Sequence, residues 1–167
     1  MKKKHKILLL TLVILTLVSL YITFTNYFEL PQEIPNHFNM QGEPDAWSQK
    51  SSLLILPGIQ VFLILLAFVV YKYPNYANIP STMALAALPK KTKKEVYEVI
   101  RDMELITLNI ISLLFIYIIY QNIEIAKQNI QTINTSIIWL TLIVLAPIII
   151  YYAIKMRRIY KNLNVVD

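Results

Sequence analysis

The sequence predicts an all-α integral membrane protein of four transmembrane helices, with a folded extracytoplasmic loop between the first two. Three observations carry this expectation. The 167 residues are 56% hydrophobic and only 16% charged, too few charges to clothe a soluble domain of this length. Four apolar stretches approach or exceed the roughly 20 residues a helix needs to cross a hydrocarbon core of about 30 Å. Fourteen of the sixteen Lys and Arg fall in the amino-terminal segment, the middle connection and the carboxy-terminal segment, the alternation that an even number of spans imposes on basic residues.

The spans are predicted at about 7–28, 53–71, 105–122 and 137–154, and none contains a charged residue. Their many β-branched residues do not make strands of them. Unbroken apolar runs lack the in/out alternation of a membrane barrel, and four strands close no barrel. The first span opens like a secretory signal, Met1-Lys-Lys-Lys-His-Lys, but stays apolar well beyond the 7–15 residues of a removable signal and is expected to remain as a signal anchor. Ahead of the third span, Thr92-Lys-Lys-Glu95 has the capping-box pattern, with Val96, Val99, Ile100 and Met103 following at helical spacing. This predicts a helix that runs directly into the membrane. A short helix over 82–88, capped by Ser81 and stopped by Pro89, is expected before it, and Pro147 is expected to kink the fourth span.

Basic residues in short connections stay on the cytoplasmic side. Lys2, Lys3, Lys4 and Lys6 share that side with Lys72, Lys90, Lys91, Lys93, Lys94 and Arg101 of the connection 72–104, and with Lys155, Arg157, Arg158 and Lys161. Only Lys50 and Lys127 lie opposite, so both termini are predicted cytoplasmic and residues 1–167 form a single multi-pass membrane domain. The net charge of +6 is then topology, with membrane lipid rather than nucleic acid as the expected partner of the basic face. Tyr27, Phe28, Tyr117, Tyr120 and Trp139 are assigned to the outer interface and Tyr71, Tyr73, Tyr151 and Tyr152 to the inner one. Within the spans, Gln60 and Asn109 are expected to hydrogen-bond between helices. The absence of cysteine excludes disulfides, thiolate metal sites and Cys nucleophiles, and the lack of an ionisable residue at mid-membrane depth disfavours a proton relay.

The outer loop, 29–52, is the segment densest in signal. Pro31, Pro35 and Pro44 restrict its backbone, and Gly42 supplies a positive φ for a tight turn after Asn39-Met40-Gln41. Leu30, Ile34, Phe38 and Trp47 form an apolar side expected to bury against the mouth of the bundle. The polar residues admit three chemistries. Metal ligation by His37 with Glu33, Glu43 and Asp45 would suit imidazole and carboxylate donors, but the single imidazole has no H-x-x-x-H partner. Catalysis by His37 oriented by Asp45 lacks a nucleophile elbow or a second His. Recognition of a peptide or protein needs only rigid shape, aromatics and mixed charge, all present. The plainer alternative, in which His37, Asp45 and Lys50 merely pin the loop, is compatible with it. The expectation is therefore a non-enzymatic protein without cofactor or metal. Its candidate binding residues are His37, Phe38, Asn39, Asp45, Trp47 and Lys50, on a frame of Pro31, Pro35, Gly42 and Pro44.

From Leu30-Pro31 to Lys50 the pattern Ile34-Pro35-x-His37-Phe38-Asn39, Gly42-x-Pro44-Asp45, Trp47-x-x-Lys50 resembles the bacterial membrane family called domain of unknown function 1648. That family forms the amino-terminal part of SdpI-like bacteriocin immunity proteins. The resemblance implies a protein of the bacterial cytoplasmic membrane. In SdpI-like members it implies bacteriocin resistance, that is, protection from a secreted toxic peptide with capture of a cytosolic repressor on toxin binding. The expected partner is accordingly a secreted toxic peptide or a membrane protein. An accessory subunit of a transporter or envelope complex is the alternative, and a metal-dependent membrane enzyme the third reading.

Overall fold

The computed structural model describes residues 2–73 and 88–163, with side chains to residue 161. Four helices dominate: α1 (Lys3–Tyr27), α2 (Ile55–Lys72, entered through a 3-10 turn over Lys50–Leu54), α3 (Lys90–Ala126) and α4 (Ser136–Leu163). All four are long and apolar enough to cross a membrane. Between α1 and α2 the chain forms an antiparallel hairpin, β1 (Glu33–Phe38) and β2 (Pro44–Gln49). The predicted short helix at 82–88 lies outside the described residues, save its last.

The amphipathic segment and the third span are one 37-residue helix, as the spacing predicts. It starts two residues before the capping box. Pro89, at φ −54°, takes the cap position and its carbonyl accepts the Lys93 N–H at 2.9 Å; a proline there sacrifices a donor that a helix start leaves unpaired anyway. α4 runs through Pro147 as a single helix.

α1 and α3 lie side by side and parallel, since His5 meets Asp102, Leu8 meets Asn109 and Asn26 meets Lys127. Close approach is possible because the buried face of α1 includes Thr16, Ser19 and Thr23, short side chains at helical spacing. The polar span residues join helices as expected: Asn109 Nδ2 donates to the Leu8 carbonyl at 3.1 Å, and Gln60 Nε2 to the Ser112 carbonyl at 3.3 Å. Three apolar clusters are stacked along the bundle. Leu30, Ile34, Leu53, Ile119 and Ile123 pack beneath the hairpin, Leu9, Leu12, Ala67 and Leu105 at mid-height, and Val70, Val96 and Ile100 at the other end. α4 rests chiefly on α3, and only 6% of its apolar stretch is buried within the protein, against 28% for each other helix.

Candidate functional site

The hairpin is built from its turn outward. Asn39 Oδ1 accepts the N–H groups of Gln41 and Glu43, each at 2.9 Å, while Asn39 Nδ2 donates to Glu43 Oε2 at 2.9 Å. An Asn side chain thus imitates backbone and closes the turn. Gly42 has φ +84°, and its carbonyl accepts the Ile133 N–H at 2.8 Å. A Cβ at Gly42 would lie 2.2 Å from the Ile133 carbonyl oxygen, so glycine is required both for conformation and for docking on the α3–α4 connection.

Proline placement obeys the same logic. Pro44 opens β2 opposite Phe38, and Pro35 sits opposite Trp47 just before an irregularity at His37. Neither can donate to the ladder, and a strand's first residue or a bulge tolerates that loss. The Pro35 carbonyl instead accepts Asn122 Nδ2 from α3 at 2.7 Å. Lys50 fastens the base: its N–H donates to the Gln32 carbonyl at 2.8 Å and its ammonium lies 5.1 Å from the centre of the Tyr27 ring. Lys127 clamps α3 to the end of α1 through Asn26 Oδ1 at 2.7 Å and Glu29 Oε2 at 2.8 Å. That hydrogen bond and charge hold the Glu29 carboxyl below its usual range.

The predicted residues consequently divide. His37 Nδ1 lies 2.5 Å from Asp45 Oδ1, so these two are brought together on an exposed surface. Asn39 and Lys50 are engaged in fastening the hairpin, at opposite ends of it. Phe38 is half-buried and Pro31 exposed. Trp47 was expected in the buried apolar side, and the structure corrects this: it is 56% exposed, whereas Leu30 and Ile34 are 4% and 0%. The reason is strand order. β1 packs on α3 and β2 is joined chiefly to β1, so Ile34 of β1 lines the interior and Trp47 of β2 the outside. Beside β1, a crevice of about 330 Å³ opens between Pro35 and Phe38, Leu53 and Leu56 of the entry to α2, and Ile119 of α3. Glu33 and Glu43 are not gathered around His37 into a metal set; Glu43 is held by Asn39.

A second cluster lies at the opposite end of the bundle, and sequence reasoning missed it. His5, 1% exposed, has Nε2 at 2.7 Å from Asp102 Oδ1, and its ring stands edge-on to Tyr71. Lys4 Nζ reaches Asp102 Oδ2 at 2.5 Å, and Lys2 Nζ reaches Glu98 Oε2 at 2.8 Å. Arg101 donates to the Tyr71 carbonyl through Nη2 at 2.8 Å. Burial pushes both carboxyls up and is outweighed, at Asp102 by the hydrogen bonds of Lys4 and His5 and at Glu98 by Lys2; both titrate below their usual values. Ligand atoms of His5, Glu98 and Asp102 lie within 4.8 Å of one another, the one such group among the described residues. Two ammonium groups already neutralise its carboxylates, so the arrangement is a clasp joining α1, α2 and α3. The available signal was the acid pair Glu98 and Asp102, one turn apart, with Asp102 between the apolar positions Val99 and Leu105.

Residues 14–61, from within α1 through the hairpin into α2, match the model of the family described as Domain of unknown function (DUF1648). This is the family resembled by the hairpin residues. An uncharacterized protein of Archaeoglobus fulgidus is 36% identical over 83 residues, 45% of this chain and 45% of that protein. The similarity therefore spans under half the length of that relative. No solved structure matches.

Proposed function

We propose that this multi-pass membrane protein, whose hairpin lies within the match to the domain of unknown function 1648, is a non-enzymatic binding protein of the bacterial cytoplasmic membrane. Its termini are cytoplasmic and its hairpin faces outward. On this reading the hairpin engages a membrane-active peptide, in the manner of an SdpI-like immunity or peptide-sensing protein. One observation carries the reading: a hairpin fastened at its turn, its middle and its base nonetheless leaves Trp47, Met40 and the His37–Asp45 pair exposed, beside an apolar crevice. Rigid presentation of an aromatic and an ion pair next to a concave apolar surface is what a recognition site requires, because little ordering entropy remains to be lost.

Two experiments test it. The chain has no cysteine, so single Cys substitutions at Gln41 and Gln128 should react with an impermeant thiol reagent in intact cells, and one at Thr92 only after lysis; reaction at Thr92 in sealed cells refutes the orientation. For binding, Trp139→Phe leaves Trp47 as the single tryptophan. The emission of Trp47 in lipid nanodiscs should shift blue on titration with an amphipathic membrane-active peptide, and expression of the chain should raise a sensitive bacterium's tolerance to that peptide without degrading it. Emission and tolerance that respond to no peptide of this class would remove the reading.

The accessory-subunit reading is favoured by a different observation, the largely uncovered apolar length of α4. Mild-detergent extraction that brings down a stoichiometric membrane partner, lost when α4 is altered, would place it first.

A further inference from the structure

At the end of the bundle that carries the termini, α4 presents Tyr151, Ile154, Lys155 and Arg158 at i, i+3, i+4 and i+7, one stripe of a helix. Together they wall a crevice of about 460 Å³. Its two halves differ in chemistry. Tyr151 and Ile154 are 58% and 47% exposed and offer an apolar wall on the helix that the rest of the protein covers least. Lys155 and Arg158 offer two cations at the other end of the same stripe. Lys155 also lines the adjoining cavity of about 370 Å³ that holds Lys2, Lys4, Glu98 and Asp102.

Charge balance decides what that pair of cations lacks. Glu98 and Asp102 are matched by Lys2 and Lys4, and Glu95, which lines the same cavity together with Lys94, forms no ion pair with Lys155. Among the described residues, neither Lys155 nor Arg158 has an ion pair; the Lys155 ammonium stands 5.9 Å from the ring centres of Tyr151 and Tyr152, which orients it without neutralising it. Depth decides where the missing anion comes from. With the fourth span ending at Ile154, Lys155 and Arg158 lie within about 6 Å beyond the hydrocarbon edge, at 1.5 Å per residue, and the headgroup layer is about 5–7 Å thick.

We propose that the crevice of Tyr151, Ile154, Lys155 and Arg158 binds the phosphodiester headgroup of an anionic phospholipid, whose acyl chains lie along the uncovered face of α4. A diffuse basic surface would use any lysine or arginine of the segment equally. This site uses the two that share a stripe with an apolar wall, and excludes Arg157, which lines neither cavity. The assignment needs only that α4 spans a bilayer, so it stands or falls apart from the hairpin's function.

The test uses the full chain in neutral detergent, re-supplied with dioleoyl phosphatidylglycerol or dioleoyl phosphatidylcholine, with the retained lipid counted by native mass spectrometry. The parent chain should retain phosphatidylglycerol in preference to phosphatidylcholine, a result that needs no variant. The double substitution Lys155→Gln with Arg158→Gln should weaken retention about 30-fold, the worth of two interfacial cations. Arg157→Gln with Lys161→Gln removes the same charge and should change it less than about twofold. Equal retention of the two lipids by the parent, or equal loss in the two double variants, overturns the site. Displacement of phosphatidylglycerol by inorganic phosphate at matching concentration also overturns it, since the crevice would then bind a free anion without need of acyl chains.

Discussion

His5–Asp102 and His37–Asp45 are the same two side chains at nearly the same separation, 2.7 and 2.5 Å, in opposite surroundings. In the first pair the side chains are 1% and 8% exposed, and Lys4, Tyr71 and Glu98 stand close by. In the second they are 69% and 43% exposed and project from a hairpin strand and its partner. Distance does not rank them. Water screens the hairpin pair and competes for both partners, so its contribution falls in the range of roughly 0–1 kcal/mol. The His5–Asp102 pair has been taken out of water, and removing Asp102 leaves His5 buried without a partner. The first pair is therefore a fastening, and the second is free to be used for something other than stability.

The largest effect is expected at Asp102. Asp102→Ala leaves His5 buried without its partner, while the half-exposed Lys4 regains water, and should cost about 2–3 kcal/mol, read as loss of thermal stability in detergent. The same group sets a pH dependence. Because the folded carboxyl titrates below its unfolded value, its contribution is complete above about pH 4 and is lost as pH falls through the folded pKa. Asp102→Asn should therefore flatten the acid limb of the stability profile, and an unchanged acid limb would show that other carboxylates carry it.

Gly42→Ala comes next. The φ of +84° and the 2.2 Å approach to the Ile133 carbonyl leave a side chain no place, so a loss of about 2 kcal/mol is expected, with proteolytic exposure of the hairpin as a local readout. Trp47→Ala should cost about 1 kcal/mol or less, since more than half of the side chain is already in water; a loss of 3 kcal/mol would place it back in the core. The smallest effect belongs to His37→Ala, roughly 0.5 kcal/mol or below. Should His37→Ala and Asp102→Ala prove equally destabilising, burial would not be what separates the two pairs.

Helix number and placement were legible because each span is a run of about 20 apolar residues bounded by charge, a signal that no tertiary contact needs to supplement. The firmness of the loop was legible from Pro35, Pro44 and Gly42, whose backbone restrictions are local. Its strands were hidden by those same prolines, which read as breakers, yet Pro44 is tolerated as the first residue of β2 and Pro35 beside the irregularity at His37. Trp47 was misplaced because an aromatic in a short strand names no face; only the order of β1 and β2 on α3 does. The clasp stayed invisible for another reason. His5 lies in a lysine run that announces sidedness, and its partner is 97 residues away.

That separation recurs along the whole contact between the first and third helices, whose polar partners are 97 to 101 residues apart. Translation at 5–20 residues per second delivers the second partner roughly 5–20 s after the first. In that interval His5 has no Asp102 and Asn26 no Lys127. A nascent chain halted after α2 has its hairpin strands complete but lacks Asn122, Lys127 and Asp102, and so has neither the anchor of the Pro35 carbonyl nor the partners of Asn26 and His5. The third helix, and not the second, is what completes the fastening of the hairpin and of the first helix.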